Sequence, residues 1–163
     1  MSTTVSNALA GGNICFGKAG MAAGTTTTTT VTTATNYSIR GQMYTLAAGS
    51  NGATPTTDAV TGAAFLPLTA GKSCIFVYCA DTDGALKIVQ GPLVNGADVT
   101  GKLAAVHFPV VPVSLTAVGY LYAQAGSTLV STWTLGVNNM SSVTGMTYTI
   151  RDLATVPAQP ITA

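Results

Sequence analysis

The residues able to do chemistry are few in this chain of 163 residues. Glu is absent, Asp occurs five times (Asp58, Asp81, Asp83, Asp98 and Asp152), and His107 is the single histidine. Glycoside cleavage needs two converging carboxylates, and nothing in the spacing of these aspartates brings a pair together. No serine sits in a G-x-S-x-G elbow. Gly71-Lys72-Ser73 matches the end of a phosphate-binding loop, but Leu66 stands where its first glycine belongs, and the residues after Ser73 read as a strand rather than a helix. The expected role is a turn entering a strand, with Lys72 exposed.

Asp81, Asp83 and Gly84 have the relative spacing of half a calcium loop. Cys79 takes the place of the first carboxylate and Gln90 that of the closing bidentate Glu, so turn chemistry accounts for both aspartates. Cys15, Cys74 and Cys79 are odd in number and lack metal-type spacing. Five residues apart on one strand, Cys74 and Cys79 must point to opposite faces, and all three thiols are expected to be buried and reduced. The sequence therefore predicts no catalytic residue, no cofactor and no metal site, and hence a protein that is not an enzyme. His107, in an apolar setting, is expected to be partly buried or at an interface.

Composition restricts the partners. Charged residues make up 7% of the chain, against about 25% in a typical soluble domain. A formal net charge of +1 supplies no field to attract nucleic acid or an anionic membrane surface, so neither is an expected partner. Mean hydropathy is +0.45, yet Gly, Thr, Ser and Pro interrupt every apolar run before the about 18 residues needed to span a bilayer. The first residues show no basic stretch ahead of an apolar one, and no secretory signal is read there. Low charge with high apolar content implies that outer surface is covered by other subunits, and a homo-oligomer is expected.

The elements that would position these residues are β-strands. Thr25 to Thr30 are six threonines leading into "VTTATNYSIRGQMYTL", and threonine's branched side chain suits a pleated surface while its hydroxyl tolerates water. The run and its continuation predict one or two strands. Residues 49–62, rich in Gly, Asn and Pro, read as a loop. Two β-rich runs meeting at Asp83-Gly84 predict a hairpin with a two-residue type I′ turn. That turn would pair Cys79 with Ile88 and place Ile75, Val77, Cys79, Leu86 and Ile88 on one core face. A second hairpin is predicted at Gly126-Ser127, setting Tyr120 opposite Trp133 and gathering Tyr120, Tyr122 and Trp133 on one face. A turn or so of helix is expected near "GADVTGKLAAV", and "GMTYTIRDL" reads as a last strand. The predicted architecture is an all-β, single-domain, jelly-roll-like sandwich over residues 25–154. An N-terminal arm over 1–24 and an extended C-terminal tail over 155–163 are expected to flank it.

Residues 74 to 128 add a resemblance. "IFVYCADTDGALKIVQG" followed by "AAVHFPVVPVSLTAVGYLYAQAGST" resembles, in its layout, small virion proteins of tailed bacteriophages. The shared layout is an apolar strand, an Asp/Gly turn, a strand ending at Gln90-Gly91, and a segment with Pro109 and Pro112 feeding a strand that contains Gly119. Val113, Ser114 and Leu115 depart from it, standing where a polar turn usually follows the second proline. The resemblance implies a head decoration or cement protein, assembled in the host cytoplasm into the virion, with the major capsid protein or another virion protein as partner. It carries over no catalytic residues. Candidate interface residues are Thr25, Thr27 and Thr29 on the threonine run, with Tyr120, Tyr122 and Trp133. The alternative is a fibre or adhesin module that stacks surface carbohydrate on those three aromatics.

Overall fold

The computed structural model describes residues 12–100, 106–140 and 143–153. The arrangement is all-β: eleven strands and one short helix among the described residues, with every strand pairing antiparallel. The strands are β1 (Ile14–Cys15), β2 (Met21–Ala23), β3 (Thr29–Val31), β4 (Thr35–Ile39), β5 (Gln42–Leu46), β6 (Gly49–Gly52), β7 (Lys72–Ala80), β8 (Leu86–Gln90), β9 (Val94–Asn95), β10 (Thr116–Ala125) and β11 (Met146–Asp152). The helix α1 (Gly96–Thr100) is the short turn expected there.

A five-stranded sheet, β11-β10-β7-β8 with β9 also pairing β7, organises the molecule. β7 lies at its centre because it can be buried on both faces: from Ser73 to Ala80 no residue is exposed. Its alternation divides the apolar residues between two clusters. Cys74, Phe76, Tyr78 and Ala80 face inward, and Ile75, Val77 and Cys79 face the other way. The three-stranded sheets β1-β4-β5 and β2-β3-β6 supply Cys15, Tyr37, Ile39, Leu46, Met21 and Val31 to the inner cluster. The three cysteines are free and buried, and Cys74 and Cys79 belong to opposite faces, as their spacing requires.

The hairpin at Asp83-Gly84 is present, but its register differs from the expected one. Tyr78 pairs with Ile88 and Cys79 with Lys87. Asp81 and Ala85 close a three-residue loop: the Asp81 N–H donates to Ala85 O, and the Gly84 N–H donates to Asp81 O. Gly84, at φ 75, takes the left-handed position of a type I turn with a G1 bulge. The Asp81 carboxylate fixes this choice by accepting the N–H groups of Asp83 and Ala85, both at 2.9 Å. One extra loop residue moves the register by one and turns β8 over. Leu86 and Ile88 consequently join the inner cluster, and Val89 replaces them on the face with Val77 and Cys79.

The second predicted hairpin does not form. β10 pairs with β11, so that Tyr120 lies between Arg151 and Val77. Gly126 donates its N–H to Gly145 O, closing the base of an excursion between the two strands. From it Leu129, Trp133, Leu135 and Met140 enter the core while Val130, Ser131 and Thr132 stay exposed, a pattern without the alternation a strand needs. Two further differences concern the start of the chain. Residues 49–52, expected in a loop, form β6 against β3. Within the segment expected as an arm, residues 12–24 contribute β1 and β2, and Cys15, Ala19 and Met21 are core residues. The expected tail, 155–163, lies outside the described residues.

Candidate functional site

Polar side chains with chemical potential are committed to structure. Asp58 is 7% exposed. Its Oδ1 accepts the N–H groups of Val60 and Thr61 and the Thr61 hydroxyl, and its Oδ2 accepts the Gln90 N–H at 2.7 Å. Burial pushes its carboxyl up, and these donors outweigh that push and hold it below the usual aspartate range. Asp81 caps its turn and meets Lys87 Nζ at 3.5 Å. Both line a cavity of about 460 Å³ with Pro55, Thr82 and Leu115. Turn and loop chemistry thus engages oxygens of both carboxylates there. Burial raises the thiols of Cys74 and Cys79 to about 12, which leaves them protonated and poor nucleophiles at neutral pH. Lys72 begins β7 beside Gly71, in keeping with a strand-entry turn, but it is half-buried rather than exposed and donates to Asn95 Oδ1 at 2.6 Å.

The two edges of the five-stranded sheet are finished differently. The loop around Asp58 closes the β8 edge: the Ala59 N–H donates to Ile88 O, and the Gln90 side chain clasps both the N–H and the carbonyl of Leu66. On the other edge, among the described residues, no strand pairs with β11 on the side away from β10. Its end is tied by the Met21 N–H donating to Asp152 Oδ1 at 2.9 Å. Thr147, Thr149 and Arg151 are exposed along it. A seven-residue strand of high β propensity with an open edge is a template for another chain.

The outer face of the same sheet is covered in part. Val106 and Val111 pack on Ile75, Val77, Cys79, Val89 and Leu115. Prolines 109 and 112 keep this segment out of the sheet's hydrogen-bond ladder, so it lies over the face as an apolar strap. Phe108 meets Tyr120 edge to face, with ring centroids 5.0 Å apart. Between strap and sheet runs a groove of about 290 Å³ lined by Ile75, Val106, Phe108, Tyr120, Tyr122 and Thr149. The Tyr122 hydroxyl donates to Ser73 Oγ at 3.3 Å. Phe108 remains 52% exposed, and Val110 and Val113 on the same strap are 88% and 67% exposed.

The candidate interface residues separate into three places. Tyr120 and Tyr122 line the outer groove. Trp133 is 1% exposed on the inner side, stacked edge to face on Phe76, with its Nε1 donating to Asn139 O. The three-aromatic platform is thereby corrected: Phe108, not Trp133, accompanies the tyrosines. The threonine run is not one strand. Thr25 to Thr27 form a bend joining β2 to β3, with Thr25 exposed, its N–H donating to Asn51 Oδ1, and Thr27 half-buried. Thr29 is buried, its hydroxyl 2.7 Å from that of Thr54. His107 is exposed on the strap. Phe108 was signalled by an apolar stretch, "VHFPVVPV", whose two prolines bar it from a central strand. Asp58 was signalled by Thr61 three residues on, the spacing of a capped turn. The chain matches no protein-family model, no curated protein and no solved structure.

Proposed function

We propose that this chain is a non-enzymatic structural protein of a bacteriophage virion, which decorates or cements the capsid through subunit contacts. The observation that carries the reading is the concentration of unfinished surface on one side: the β11 edge, unpaired among the described residues, beside the Phe108, Tyr120 and Tyr122 groove, in a chain with 7% charged residues. A face of this kind is satisfied by another protein. The layout of residues 74–128 supports the virion setting. The jelly-roll form of the sandwich, the major capsid protein or another virion protein as partner, and assembly in the host cytoplasm belong to the same proposal. Carbohydrate recognition is the weaker reading, since Trp133 is enclosed in the core.

The test is to purify particles on a density gradient from host cells producing the chain and to analyse them by peptide mass spectrometry and immunogold electron microscopy. The chain is expected at fixed stoichiometry in the particle fraction, with label on the particle surface. A chain found wholly in the soluble fraction, or one that binds glycans and no particle, overturns the reading.

A further inference from the structure

The outer groove is lined by aromatic and aliphatic side chains, a chemistry that suits an extended segment carrying spaced prolines. Aromatic-lined grooves accept P-x-x-P segments because proline fixes φ and the polyproline conformation loses little entropy on docking. Here Tyr120 and Tyr122 stand two residues apart on one face of β10 with Ile75 beside Tyr122, and Val106 and Phe108 of the strap complete the lining, Phe108 meeting Tyr120 edge to face. Such a segment exists in this chain: residues 157–160 read Pro-Ala-Gln-Pro. The sequence after β11 is long enough to reach beyond its own subunit, since the ten residues from 154 to 163 span roughly 30 Å at about 3.1 Å each in the polyproline form.

The direction of that sequence decides whose groove it fills. β11 passes Tyr122 at Thr149 and Tyr120 at Arg151 and ends at Asp152, heading away from Tyr122, so the segment after it would have to turn back to enter its own groove. Residues 154–156 are Ala-Thr-Val. They offer no Gly, Asn or Asp for a tight turn, two of them are β-branched, and the residue before Pro157 is biased to extended backbone. We propose that the C-terminal segment around Pro157 and Pro160 of a second copy of this chain seats in the Phe108, Tyr120 and Tyr122 groove. The contact is head to tail: each copy presents a groove to one neighbour and a tail to the next, a heterologous interface that closes into a ring or extends along a surface. The proposal deepens the assembly reading and rests on it.

The experiment uses the full chain and a synthetic peptide of residues 154–163. Sedimentation velocity over a concentration series is expected to show self-association. Phe108→Ala, and separately the double substitution Pro157→Ala with Pro160→Ala, should each move the midpoint about tenfold or more to higher concentration, the loss typical of an interface anchor. The peptide should dissociate the assemblies, and a peptide with both prolines changed to Ala should not. Because Phe108 is half exposed, its loss leaves the core intact, and the proline substitutions lie outside the described body. Association unchanged in both variants overturns the proposal, as does a wild-type chain that is monomeric at every concentration. If these outcomes occur while the chain is still found in purified particles, the head-to-tail contact falls and the assembly reading stands. If tail and groove associate as expected but particles lack the chain, the virion reading falls instead.

Discussion

The two faces of the five-stranded sheet differ along every strand but β7: β11 turns Met146, Tyr148 and Ile150 inward and Thr147, Thr149 and Arg151 outward, and β8 turns Leu86 and Ile88 inward and Lys87 and Val89 outward. Inward, Phe76 packs between Phe65 and Trp133, with ring centroids 5.4 and 6.2 Å away, and Trp133 packs on Tyr148 at 5.3 Å. Two small sheets and the 126–145 excursion close over this side. Outward, one strap with two prolines covers part of the face, and Phe108, Tyr120 and Tyr122 line a groove. The edges repeat the contrast, with β8 sealed by Asp58 and Gln90 and β11 left unpaired on its outer side among the described residues. Apolar surface is therefore completed on one side by the chain's own residues. On the other it stays partly uncovered among the described residues.

The sharpest way to break this comparison is to cut equivalent aromatics on each side. Trp133→Ala should cost about 3 to 5 kcal/mol, the range for a buried aromatic that leaves a cavity, and chemical denaturation should show it. Phe108→Ala should cost under about 1 kcal/mol in the same assay, while weakening self-association. Equal losses at the two positions would mean that the strap is part of the folding core.

The sealed edge comes next. Asp58→Asn removes charge from a carboxylate with four donors, and hydrogen bonds to charged groups are worth about 1.5 to 3 kcal/mol each, so a net loss of about 2 to 3 kcal/mol is expected. The wild-type contribution also has a pH signature. With a native pKa below the ordinary aspartate value of 3.8, the unfolded state binds more protons at acid pH. The stabilisation is complete above that ordinary value and fades as pH falls through the lowered native one. Denaturation midpoints of wild type and Asp58→Asn should converge in acid, and a constant difference from neutral pH downward would exclude the charge as the cause.

Much of this architecture was legible because local signals and tertiary demands agreed. β7, β8 and β11 announce themselves by β-rich runs, and burial of the three thiols follows from their type and spacing. Register was not legible, because it depended on Asp81. Asp83-Gly84 has the composition of a two-residue turn, but the Asp81 carboxylate binds two backbone N–H groups and makes the loop three residues long. Conversely, the Arg40-Gly41 turn between β4 and β5 is a two-residue turn with both φ values positive, 50 and 81, where Arg gives no such signal. Trp133 was misplaced for a related reason. An aromatic beside alternating Thr and Ser looks like a strand residue, and only the return of β11 shows that the intervening residues form a plug. The outer groove joins residues from β7, β10, β11 and the strap, and no sequence period links them.

Smaller effects sharpen the same account. Gly84→Ala should cost about 1 to 2 kcal/mol, since a side chain there is strained at φ 75 and its Cβ would lie 2.9 Å from Thr45 O. Thermal unfolding with an intact sheet spectrum would check it. Tyr148→Phe should be smallest, neutral or slightly stabilising, because the Tyr148 hydroxyl is buried without a hydrogen-bond partner among the described residues. A loss above about 1 kcal/mol in the same melts would reveal a partner for that hydroxyl.

Hydroxyl-radical footprinting, read residue by residue across the concentration range of self-association, tests the central claim that the outer face is where this chain meets its neighbours. Phe108, Tyr120 and Tyr122 line that face, while Met43, 59% exposed on β5, lies on a different sheet and serves as the internal reference. The predicted result is that oxidation of the three aromatics falls as the chain associates while Met43 stays equally reactive. Protection of Met43 with Phe108, Tyr120 and Tyr122 unchanged would contradict the account.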